Sequence, residues 1–153
     1  MPVPDQPALD IRNDWLSRGV TFLTKENAMT YKNFLTIASI LAFLFGLGFV
    51  LMPGQLVSFY GVELNAAGIL IAQLYGTALL GFGLLNWFGR DFSDSAAKQA
   101  VLTVNLASDG LGFIFALMGQ LGGVPGVNAL GWSTVLIYLL LAAGFAYLRF
   151  FSR

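Results

Sequence analysis

The chain contains no cysteine and no histidine. Without cysteine there is no disulfide, no thiolate metal site and no cysteine nucleophile. Without histidine it lacks the commonest metal ligand, the usual general base and the usual axial ligand to haem or chlorophyll. Charge is scarce too. Asp, Glu, Lys and Arg make up 10% of the 153 residues, against about 25% in an ordinary soluble domain. Eight basic and eight acidic side chains cancel, so nothing draws the chain to nucleic acid. No acid/base pair, nucleophile–base pair, phosphate-binding glycine loop or metal-ligand spacing is present. The expectation is a protein that is not an enzyme, with no catalytic residue, no metal and no identifiable cofactor.

What the chain has in abundance is apolar surface: 57% hydrophobic residues, with 14 Phe and 18 Gly. That places it in the membrane class. Residues 1–32 are the one markedly polar segment. Pro2, Pro4 and Pro7 discourage helix at its start, whereas Leu9, Leu16, Val20 and Leu23 fall near helical spacing, with Trp15 and Phe22 beside them. Two readings stay open for this extension: an amphipathic helix on the membrane surface or against a partner, and a mobile tail. No basic-then-apolar signal with a small-residue cleavage site is read at the N-terminus.

The remaining residues, 33–151, read as four membrane spans at about 33–52, 66–88, 97–118 and 132–150, each long enough for a hydrocarbon core about 30 Å thick. Pro53-Gly54 ends the first. The dozen residues 55–66 are too short and polar to cross, and would lie along the far surface. Ser95 stands as the N-cap of the third span. All eight basic residues fall on one side of this topology: Arg12, Arg18, Lys25 and Lys32 ahead of span one, Arg90 and Lys98 around the second turn, Arg149 and Arg153 at the end. Positive charge marks the cytoplasmic side, so both termini are predicted to be cytoplasmic. Aromatic residues are expected to anchor the two interfaces, Tyr31, Trp87 and Tyr147 at the inner one and Trp132 at the outer.

Short connections make neighbouring helices antiparallel. The predicted fold is therefore an all-α membrane protein, an up-down four-helix transmembrane bundle with a cytoplasmic N-terminal extension. Small residues let helices approach in lipid. Span two offers Ala72, Gly76 and Gly83 on one face, and span one offers Gly46 and Gly48. They serve either packing within the bundle or a homo-oligomer interface. A weak internal echo runs through the chain. The segment from Gly46 to Leu56 parallels that from Gly110 to Leu121 with one inserted residue, and Gly81-Phe82 parallels Gly144-Phe145. Such an echo points to a parallel duplication of a two-helix hairpin. On this alignment Asp109 takes the place held by Phe45.

Asp109 is the costly residue. A carboxylate at bilayer depth must be paired, hydrated or protonated. Asn105 lies one turn below it on the same face, and Ser108 is adjacent. Matching depth at 1.5 Å per residue brings Gln73 and Tyr75 of span two level with it, with Tyr138 of span four nearby. Three readings of this polar cluster stand: a structural hydrogen-bond network, a contact to a bound small molecule, lipid or pigment, and a site of proton- or ion-coupled transport. The network is the simplest.

The order Met52-Pro53, Phe59-Tyr60-Gly61, Gly76, Leu79-Leu80-Gly81, Trp87 and Arg90 is followed by Asn128-Ala129-Leu130-Gly131-Trp132, Tyr138 and Gly144-Phe145-Ala146-Tyr147. This resembles a broad group of small, uncharacterised bacterial four-span membrane proteins, loosely similar to the DoxX-like set. The resemblance covers about residues 34–150. It implies a bacterial inner-membrane protein and carries over no catalytic residue. The expected function is a structural or accessory subunit of a larger membrane complex, respiratory or photosynthetic, with the bilayer and protein partners or further copies of itself around it. The alternative is a small-molecule or proton-coupled carrier built around Asp109.

Overall fold

Backbone in hydrocarbon has no water to bond, so an uncharged apolar stretch must satisfy its own N–H and C=O groups as helix. The computed structural model, which describes residues 11–123 and 126–152 with side chains from residue 31 onward, is helical in that way. Its elements are α1 (Ile11–Leu51), α2 (Pro53–Ser58), α3 (Ala66–Gly89), α4 (Ser95–Leu121) and α5 (Gly131–Phe150). Four apolar stretches of 20 to 27 residues, Tyr31–Leu51 and the whole of α3, α4 and α5, are long enough to cross a membrane. Among the described residues there is no strand. The chain is a four-helix integral membrane protein.

Helix ends follow local chemistry. Pro53 opens α2 at its first turn after Met52 leaves helical geometry, because proline is tolerated where no N–H partner is required. Asn65 caps α3 by accepting from Gly68 N at 2.8 Å. The cap of α4 is Asp94, which accepts from Ala97 N at 2.7 Å, and not Ser95, which is the first residue of the helix. A carboxylate at this position both accepts the free N–H and meets the positive end of the helix dipole. Residues 11–30 and the first span form a single helix instead of two elements. The apolar face expected over residues 8–26 lies outside the described side chains.

Small residues bring α1 and α3 together. Gly76 and Gly46 face each other so closely that a Cβ on Gly76 would sit 2.8 Å from Gly46 O. Ser39, fully buried, donates to Gly83 O at 2.8 Å. At the end that carries Lys32, Arg90, Lys98 and Arg149, the basic end, Tyr31, Leu35, Ala38, Val101, Leu102, Phe145 and Leu148 form the core. Phe34 meets Phe145 edge-on with ring centroids 4.9 Å apart. Tyr31 therefore does not anchor an interface as expected. It is 7% exposed and donates its hydroxyl to Gly89 O at 3.0 Å, since a buried phenol needs an acceptor. Trp87, Trp132 and Tyr147 are exposed, and the Arg90 guanidinium lies 3.4 Å over the Trp87 ring.

In the turn between α3 and α4, Asp91 accepts from Lys32 at 2.6 Å and from Arg90 at 3.3 Å. The Lys32 hydrogen bond, helped by Arg90, holds its carboxyl below the usual aspartate value. Both pairs are open to water and contribute little stability. At the opposite end Asn128 ties two loops together. Its N–H and its amide donate to Tyr60 O and Phe59 O, each at 2.9 Å. Gly61 takes φ of +82° there, and a Cβ on it would strike Gly126 O, so only glycine fits.

Candidate functional site

The helix backbones approach closely within two hairpins, α1 with α3 and α4 with α5, and far less between them. The core fills the gap at the basic end. Beyond it the hairpins enclose a cavity of about 560 Å³, lined by α1, α3, α4 and α5 and reaching Val57 and Tyr60 at the other end. The walls are mainly apolar, and seven lining side chains are aromatic: Phe45, Phe49, Tyr60, Tyr75, Phe82, Tyr138 and Phe145. The polar lining is confined to a few positions, including Asn86, Asn105, Ser108, Asp109, Gln120 and Thr134. No lysine or arginine is among them.

At the basic end of the cavity Asn86 and Asn105 bond to each other. Asn86 Nδ2 donates to Asn105 Oδ1 at 3.0 Å, and Asn105 Nδ2 donates back at 2.9 Å and also to Val101 O at 2.9 Å. Both are nearly sealed, 2% and 3% exposed. Removing one leaves the other's amide short of a partner, which costs more than the bond itself contributes. Asn86→Ala is expected to lower stability by about 1–2 kcal/mol, and the Asn86→Ala/Asn105→Ala double variant by clearly less than the sum of the two singles. Denaturant titration of the four proteins in one detergent checks this; additive losses would contradict the pairing.

Further along, the Tyr75 hydroxyl of α3 and the Tyr138 hydroxyl of α5 hydrogen-bond across the space between the hairpins. These residues are 63 positions apart, the offset that relates Gly81 to Gly144 in the internal echo. Phe45 and Asp109, which the internal echo aligns, both line the cavity. Phe49 packs edge-on to Tyr75, centroids 5.2 Å apart. Gly112 makes room for the Tyr138 ring: a Cβ there would lie 2.5 Å from Tyr138 Cε1.

Asp109, Asn105, Ser108, Tyr75 and Tyr138 thus share one cavity. Asn105, however, is committed to Asn86, and the two tyrosines to each other. Gln73 stands apart. Its Nε2 donates to Val50 O of α1 at 3.2 Å, filling an acceptor within the hairpin. Among the described residues no side chain hydrogen-bonds to the Asp109 carboxyl, although Tyr75 lies close enough to feel its charge. Asn86 escapes a reading by depth because it sits a helical stretch away from Asp109. The signal for it was a lone amide in an apolar span, and for the tyrosine pair it was the 63-residue offset.

The chain matches neither a curated protein nor a solved structure. A family model matches residues 10–148, and no link to the DoxX-like group is shown. That match spans the helix ahead of the first span and nearly all of the bundle. The chain belongs to the family described as Domain of unknown function (DUF8292).

Proposed function

We propose that this integral membrane protein is a non-enzymatic binder or carrier of a small, mainly apolar molecule, held between the two hairpins with its polar end at Asp109. The observation that carries the reading is the cavity itself: about 560 Å³, apolar-walled, with one carboxyl group to which no side chain among the described residues hydrogen-bonds. Its size and make-up match ligand sites, which are largely apolar with a few polar groups that orient the guest. An intramembrane carboxyl is costly to keep, and a ligand that meets it offsets that cost. The basic residues flanking the spans support a bacterial inner membrane with cytoplasmic termini as the setting. The test is native mass spectrometry of protein released from lipid nanodiscs. A copurifying small molecule that survives delipidation supports the reading, and a protein that emerges bare under every mild condition, and takes up no added apolar compound, contradicts it.

The accessory-subunit reading draws on a different observation. Helix α1 begins at Ile11, well ahead of the span that starts at Tyr31, and so offers a helical segment for docking within a larger respiratory or photosynthetic assembly. A lone, monodisperse protomer after mild solubilisation would count against it.

A further inference from the structure

The lining specifies more than an apolar guest. We propose that the ligand is a lipophilic organic cation, an aromatic or alkylated amine or onium ion. This rests on the reading of the cavity as a ligand site. Among the described residues Asp109 is the one acidic or basic side chain in the lining. A monocation beside it would hold the carboxyl ionised and leave the cavity neutral, whereas an anion would meet an acidic group with no lysine or arginine in that lining to offset it. The surrounding surface has the same sign of preference. Phe45, Phe49, Phe82, Tyr75 and Tyr138 line the cavity with Asp109, and aromatic faces attract cations through their quadrupole, most strongly where water is excluded.

The other strong polar groups are already spoken for. Asn86 and Asn105 satisfy each other, and the two tyrosine hydroxyls are paired. What is left for a guest is an acceptor carboxylate, with the neutral Ser108 and Thr134 hydroxyls elsewhere in the lining. An inorganic cation is a poor match, because calcium needs six to eight oxygen ligands and magnesium a near-octahedral set, and here a single carboxylate shares a mainly apolar, aromatic-rich lining. A large cation with spread charge gives up less hydration on entering such a space. Phe45 of the first hairpin lines the same cavity as Asp109 of the second, so one hairpin supplies the acidic group and the other an aromatic wall.

The test uses three probes of similar shape and different charge on the purified full chain in nanodiscs: tetraphenylphosphonium, tetraphenylborate and triphenylmethanol. Equilibrium binding is expected to favour the phosphonium by at least about tenfold over either of the others. Asp109→Asn should abolish that preference and Asp109→Glu should keep most of it. The wild-type comparison needs no variant to fold. Equal binding of all three, or preference for the borate or the alcohol, overturns the cation assignment and leaves the cavity as a site for apolar molecules. Binding of none overturns the cavity reading and the assignment with it.

Discussion

Gly76→Leu is expected to disrupt the α1–α3 hairpin and to be the most damaging single substitution in the bundle, lowering stability by about 3 kcal/mol or more. A Cβ at this position would lie 2.8 Å from both Gly46 O and Phe49 Cβ, and 3.0 Å from Val50 Cγ2. Two of those neighbours belong to the backbone or its first carbon, which cannot swing aside. The helices must separate. In water, burial of apolar surface would resist that, but lipid tails are as apolar as leucine, and helix association in a membrane rests on close packing and interhelical hydrogen bonds. Separation also stretches the bond from Ser39 to Gly83 O and that from Gln73 to Val50 O. The control is Gly81→Leu, where nothing lies within 4 Å, and where the change should stay within about 0.5 kcal/mol. Denaturation in mixed detergent micelles measures both. Equal stability of the two variants would refute the close-packing account of this hairpin.

Much of this fold is written in simple physical terms. An uncharged apolar stretch in lipid has helix as its one open solution, so the four spans follow from composition and from the charges between them. The glycine and alanine face of span two is legible for the same reason: Ala72, Gly76 and Gly83 are all buried, and in lipid small residues mark where backbones meet. Side chains with two plausible environments are harder. Tyr31 at a span's edge suits an aromatic belt, and what turned it inward was an acceptor, Gly89 O, supplied by a helix more than fifty residues away. Asn105 and Asp109 share a helix face, yet one is sealed by a reciprocal amide and the other has no side-chain hydrogen bond among the described residues. That division depends on where the hairpins touch and where they part, which no periodicity encodes. The cavity is likewise absent from the sequence as a pattern. It arises because the core fills the gap between hairpins at one end, while aromatic residues spaced along α1 and α3 line the opening beyond.

Gly112→Leu is expected to abolish ligand binding, by about 100-fold or more, while leaving the bundle folded. Its Cβ would sit 2.5 to 2.9 Å from three atoms of the Tyr138 ring, so something must shift. Here, unlike at Gly76, the neighbour is a side chain bordering open space, and it can yield. The direction in which it yields is into the cavity, carrying it away from the Tyr75 hydroxyl and occupying volume that a guest would need, while the leucine fills part of the remainder. The lost tyrosine bond costs about 1 kcal/mol, the scale of an interhelical hydrogen bond in a membrane, so the midpoint of unfolding should fall only slightly. Gly110→Leu, two residues away on the same helix and with nothing within 4 Å, should bind as the wild type does. Titration of each variant with whichever of the phosphonium, borate and alcohol probes the wild type takes up measures the effect, with circular dichroism to confirm helix content. A Gly112→Leu protein that binds as well as the wild type would mean that the guest sits somewhere other than between the hairpins, and Asp109 would then return to being a polar group that the bundle merely tolerates.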